Sequence, residues 1–139
     1  MTVYVDSSVL LRVVLAEPGK LRSWKAIKKP IASELVRLEC LRTIDRARIK
    51  LGLDDATVAM RRNAVLEQID AFYLIPLNAA VLERAAEPFP TIVGSLDALH
   101  LASALLARAE IPDLRLATHD RELAIAAKAM AFDVLGCTV

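Results

Sequence analysis

Apolar and polar positions change rhythm several times along this chain, and each change predicts an element. "TVYV" near the start is short, apolar and β-branched, the pattern of a strand. "DSSVLLRVVLAE" then opens on residues suited to cap a helix and ends at Pro18-Gly19. A second short helix is predicted from Leu21 to Lys29, stopped by Pro30. "PIAS" offers a strand ending at Ser33, itself an N-cap for the helix "ELVRLECLRTIDRARIKLG", with Gly52 as its stop. Asp54 or Asp55 starts another helix to about Ala71, "FYLIPL" is the third strand, Asn78 caps a helix through about Glu87, and "EPFP" is a turn-rich connection. Ser95 caps a long, largely apolar helix, "LRLAT" makes a fourth strand, Asp120 opens a helix to about Ala131, and "FDVLG" is a short final strand. Short apolar strands alternating with helices imply an α/β fold in three layers, a parallel sheet of about four to five strands flanked by helices on both faces.

Composition narrows the class. The 139 residues fit one domain, 1–139, without repeats, low-complexity segments or linkers. The chain is 55% hydrophobic, yet charges interrupt every apolar run well before the roughly 20 residues of a membrane span. The N-terminus lacks the basic flank and cleavage pattern of a secretory signal, so cytoplasmic residence is the expectation, with no membrane partner. Cys40 and Cys137 share no C-x-x-C spacing and read as buried reduced thiols. Eighteen basic against 17 acidic residues give a net charge of +1, which excludes a generic nucleic-acid-coating protein. Contact with nucleic acid must then be local, and the candidate patches are Gly19 to Lys29 and the spread Arg37, Arg42, Arg46, Arg48 and Lys50. Taken alone, each reads better as a solvated helix face than as a phosphate contact, and gains meaning only beside a catalytic centre.

Four acids stand out from their surroundings. Asp6 directly follows the first strand, Asp120 follows the fourth, Asp97 lies in the opening turn of the apolar helix, and Glu39 sits between Leu38 and Cys40 nearly two turns into another helix. In open parallel sheets functional residues gather at the carboxyl ends of strands. Each acid also has an ordinary explanation: Asp6 and Asp120 as helix caps, Asp97 as a complement to the helix dipole, Glu39 as a partner of Arg42. If the four converge they repel one another without a counter-ion, and a hard divalent cation would supply one.

In order along the chain, "VYVDSSVLLRVV", "IASELVRLECLRTI", "SLDALHLASALL" and "LATHDRELAIAAKAMAFDVL" closely resemble the PIN-domain family, and the compact size resembles its VapC-type toxin members. The likeness runs from Val3 to Leu135. It implies a PIN-like fold, and an acid cluster at Asp6, Glu39, Asp97 and Asp120 that binds Mg2+ or Mn2+ and cleaves RNA. It further implies support from Ser8 after the first acid and from Thr118, whose hydroxyl precedes the last acid and orients it or a bound water. Members often place a basic residue shortly before the third acid, where this chain has Gly94 and Ser95. By resemblance the partners are an RNA substrate, a VapB-type antitoxin and a second copy in a homodimer.

Rival chemistry is weakly signalled. His100, one turn after Asp97, reads as a core histidine or as second-layer support, and His119 as a residue at the edge of the cleft or in solvent. No H-E-x-x-H spacing, Gly-rich phosphate loop or G-x-S-x-G elbow is present. Trp24 reads as a packing residue. The alternative function is a PIN-like module that binds RNA or protein without cleaving.

Overall fold

The β-branched segment Thr2–Val5 is strand β1, and in the computed structural model of residues 1–139 it lies at the centre of a sheet. Val3, Tyr4 and Val5 are all fully buried. Successive strand side chains point to opposite faces, so Tyr4 packs on one side while Val3 and Val5 pack on the other. The remaining strands are β2 (Lys29–Ser33), β3 (Tyr73–Ile75), β4 (Arg115–Ala117) and β5 (Val134–Leu135). All pair in parallel, in the order β3-β2-β1-β4-β5.

Six helices cover the faces: α1 (Ser7–Val14), α2 (Leu35–Leu51), α3 (Asp55–Asp70), α4 (Ala79–Ala85), α5 (Ser95–Glu110) and α6 (Arg121–Ala129). Leu10 of α1, Val36, Cys40 and Ile44 of α2, and Val65 and Ile69 of α3 pack on one face around Ala32. Leu101 and Ala104 of α5 and Leu123, Ala126 and Ala127 of α6 pack on the other, around Tyr4 and Leu116. The α/β architecture therefore matches the alternation of strand-like and helix-like segments. The order of the strands reverses between β1 and β4, which places the ends of these two strands at a topological switch point.

Four local expectations are corrected. Leu21 to Lys29 forms only a 3-10 turn, Trp24–Ala26, and Lys29 already belongs to β2. Its anchors Leu21, Trp24 and Ile27 recur every three residues, and Trp24 and Ile27 donate their N–H groups three residues back, the spacing of a 3-10 turn rather than of an α-helix. Helix α1 ends at Val14, before Pro18, because Ala16 turns to φ 51°. Neither predicted serine occupies an N-cap position: Glu34 starts α2 and Gly94 starts α5. The Ser33 hydroxyl still accepts from Leu35 N–H at 3.1 Å, because Glu34 is already helical and its own carboxylate is engaged 2.8 Å from Leu77 N–H. Cys137 is partly exposed, whereas Cys40 is buried as expected. Trp24 packs beside Phe72, with ring centroids 6.2 Å apart.

Candidate active site

Asp6 leaves the end of β1 and caps α1, Oδ1 accepting the N–H groups of Ser8 and Val9 at 3.1 and 3.3 Å. Two hydroxyls complete its shell. Ser8 Oγ donates to Oδ1 and Thr118 Oγ1 to Oδ2, each at 2.6 Å. Asp6 is buried, and burial pushes its carboxyl above the ordinary range despite these bonds and the nearby His100, which pull the other way. The hydroxyl roles read from the sequence are thus redistributed: Thr118 orients Asp6 rather than the carboxylate of Asp120, while its oxygen accepts Asp120 N–H at 2.9 Å. Ser8 Oγ also accepts His119 N–H at 2.9 Å, so the ends of β1 and β4 are stitched together by side chains as well as by their ladder.

Asp120 caps α6 through Glu122 and Leu123 N–H, and its carboxylate is solvent-facing. Asp97 stands in the first turn of α5, half-buried. Its carboxyl is pushed up to about 6, first by burial, then by the charge of Asp120, with Asp6 and Glu122 adding to the rise and His100 opposing it. Three acids from three elements thus feel one another at the switch point. No arginine or lysine forms an ion pair with any of them.

Glu39 approaches from α2. It does not pair with Arg42, which instead joins Arg48 on Asp45 along an exposed face. Its Oε1 lies 2.7 Å from His100 Nε2, and Tyr4 Oη lies 2.7 Å from His100 Nδ1. Burial alone would lower the His100 pKa, but the hydrogen bond and charge of Glu39, with Asp6 and Asp97 beyond, outweigh it and raise it. Tyr4 was not legible as a site residue. The available signal was a polar-tipped aromatic among β-branched neighbours, two positions before Asp6. Cys40 lies behind Glu39, its thiol pushed up to about 12 by burial and then by Glu39 and Asp6, which makes it inert.

The acids do not close into a cage: no three His, Cys, Asp or Glu side chains are near enough to enclose a metal ion. Hard oxygen donors, uncompensated by lysine or arginine, with Asp97 bearing no fixed hydrogen bond, nevertheless fit a cation that keeps most of its waters. Mg2+ is commonly held by one or two carboxylates in this way. Lys20 and Arg22 line a cleft of about 530 Å3 with His119, Gly136 and Thr138, which puts part of the Gly19–Lys29 basic patch beside His119, the residue before Asp120. A cavity of about 630 Å3 runs from the starts of β1 and β2 along β3 to Asn78 and is lined by none of the four acids.

Comparison with known proteins places this geometry in context. The PIN domain family model matches residues 3–129. Ribonuclease VapC46 of Mycobacterium tuberculosis strain H37Rv is 30% identical over 136 residues, covering 96% of this chain and 95% of the relative. Ribonuclease VapC47 of strain CDC 1551 is 28% identical over 137 residues, covering 94% and 93%. Among solved structures, the fold is similar to a chain of VapBC2 from Rickettsia felis, a complex bound to a DNA fragment from its promoter. The TM-score is 0.68 at 10% identity, over 97% of this chain and 99% of that one. PAE2754 from Pyrobaculum aerophilum gives a TM-score of 0.56 at 19% identity, over 94% and 90%.

Proposed function

Because this chain belongs to the PIN-domain family, in its VapC-type group, we propose that it is a Mg2+- or Mn2+-dependent endoribonuclease. In this reading it is the toxin of a toxin-antitoxin pair in the cytoplasm, held inactive by a VapB-type antitoxin. The observation that carries the catalytic reading is the meeting of Asp6, Asp97 and Asp120 at the β1–β4 switch point without a lysine or arginine to neutralise them. The two mycobacterial relatives named as ribonucleases support RNA as the substrate.

Asp6, Asp97 and Asp120, with Glu39 beside them, are the residues that would hold the cation. When bound, it would supply the charge that activates a water toward a phosphodiester and stabilises the leaving oxygen, giving a 3'-hydroxyl and a 5'-phosphate. Thr118 and Ser8 hold Asp6 in one orientation through bonds to both of its oxygens. Asp97 projects from a rigid, well-buried helix. Lys20 and Arg22 offer positive charge to the RNA backbone in the cleft they share with His119. The exposed apolar side chains Leu38, Ile49 and Leu51 of α2, Met60 of α3, and Ile92 and Leu96 at the start of α5 are surfaces for the antitoxin and for a second copy of the chain in a homodimer.

The test is cleavage of RNA by purified protein with mapping of 5' ends. Parent protein with Mg2+ or Mn2+ is expected to cut at discrete positions, and Asp97→Asn to leave RNA intact. Undiminished cutting in excess chelator overturns the metal dependence, and identical maps for the two proteins overturn the nuclease assignment. The second reading is a PIN-like module that binds without cleaving, favoured by the helix-capping bonds that already occupy Asp6 and Asp120. Cellular toxicity that persists after all four acids are replaced would select it.

A further inference from the structure

Glu39 is the acid least explained by its own helix. It lies within α2, has three rotatable bonds to its carboxyl, and contacts no lysine or arginine through a salt bridge. Its partner, His100, is on α5 one turn after Asp97, and the far ring nitrogen meets Tyr4 of β1, two residues before Asp6. The three elements joined by this chain of contacts are therefore those that carry Glu39 and Asp97 and the strand that leads directly into Asp6. The His100 side chain is 3% exposed and Tyr4 is fully buried, with its ring 6.0 Å from the imidazole in an edge-on arrangement. Buried polar groups persist where their partners are satisfied, and such a line of bonds fixes one rotamer at each member.

We propose that Tyr4 and His100 are positioning residues for Glu39: Tyr4 orients the imidazole, and the imidazole holds Oε1, so that Glu39 presents its other carboxylate oxygen in one orientation to the acid cluster. The histidine ring serves as a spacer, reaching from Tyr4 on the sheet to the Glu39 carboxylate on the helical layer of the opposite face. The hydroxyl on Tyr4 matters because without it His100 Nδ1 loses the partner that fixes the ring and is left as a buried, unpaired polar atom. The inference rests on the metal-centre reading above, and concerns how one of its acids is held.

Mn2+ alone is the probe, its affinity read by electron paramagnetic resonance on the full chain. Partners that orient a ligand typically change metal affinity about 10- to 100-fold when removed. Tyr4→Phe keeps the ring and its packing, and is expected to weaken Mn2+ binding toward the lower end of that range; His100→Gln is expected to weaken it further. In a Glu39→Gln background Tyr4→Phe should have no additional effect, which a merely structural loss would not reproduce. Melting curves taken alongside separate weakened binding from unfolding, and Tyr4→Phe serves if His100→Gln does not fold. Parent-like Mn2+ binding in both variants, or an equal loss with and without Glu39, overturns the positioning role. A parent protein that binds no Mn2+ overturns the metal centre itself, a distinguishable failure.

Discussion

Replacing Asp97 with Asn is expected to stabilise the metal-free protein at neutral pH while removing its activity. The carboxyl rises from 3.8 to about 6 because burial, and then the neighbouring acids, disfavour its charge. At about 1.4 kcal/mol per pKa unit, that rise corresponds to about 3 kcal/mol against the charged form. Half of the group still faces water, so screening reduces the cost to on the order of 1–2 kcal/mol. Asn also forfeits the attraction between a carboxylate and the start of α5, worth some tenths to about 1 kcal/mol. The net gain is about 1 kcal/mol, or roughly 3–5 °C in melting temperature for a chain of this size. A carboxyl whose folded pKa is raised favours the folded state below its unfolded value, near 3.8, and that contribution is lost as pH climbs through about 6. The advantage of Asn should therefore be absent near the low end of that window and fully developed by neutral pH. Melting curves across that range in chelator are the assay. An Asn variant less stable than its parent at neutral pH, or a gain that does not depend on pH, would refute the electrostatic reasoning. Added Mn2+ should reverse the ranking by stabilising the parent alone, since a ligand stabilises only the state that binds it.

Three further outcomes test the scaffold around the acids. Thr118→Val keeps the shape but strips a bond from buried Asp6 and an acceptor from Asp120 N–H, and should cost about 2–4 kcal/mol in urea unfolding. An unchanged midpoint would mean that Asp6 finds another partner. Gly136 has φ +90°, and a Cβ there would stand 2.8 Å from the Thr118 carbonyl, so Gly136→Ala should lower stability by about 2 kcal/mol or more and reduce cleavage by displacing the end of β4. Leu116→Ala, at a fully buried position in β4, is expected to cost about 2–5 kcal/mol, read by the same unfolding assay.

The caps read from the sequence were right where the deciding bonds are local. Asp54, Asn78 and Asp120 each accept an N–H within three residues of themselves, and Gly52 closes α2 in the left-handed conformation. The same reasoning misplaced the starts of α2 and α5 by one residue, and made a helix of Leu21 to Lys29. There the deciding contacts are not local: Glu34 is drawn to Leu77, and Leu21, Trp24 and Ile27 are pinned against the sheet and its covering helices. The acids were visible one by one as charges in apolar or strand-end settings. That Glu39 takes a histidine rather than Arg42, and that Thr118 serves Asp6, could not be read from spacing.

Residue pattern alone determined the alternation of strands and helices, the two covered faces and the identity of the unusual acids, because periodicity and capping act over a few residues. Tertiary structure decided what those acids meet. Asp6 and Thr118 are 112 positions apart and Tyr4 and His100 are 96 apart, and they come together only because β4 enters the sheet beside β1 while α5 crosses the face that Tyr4 occupies. Strand order is set by the packing of whole layers rather than by any local preference, and so the hydrogen bonds and charges of the site belong to the folded chain.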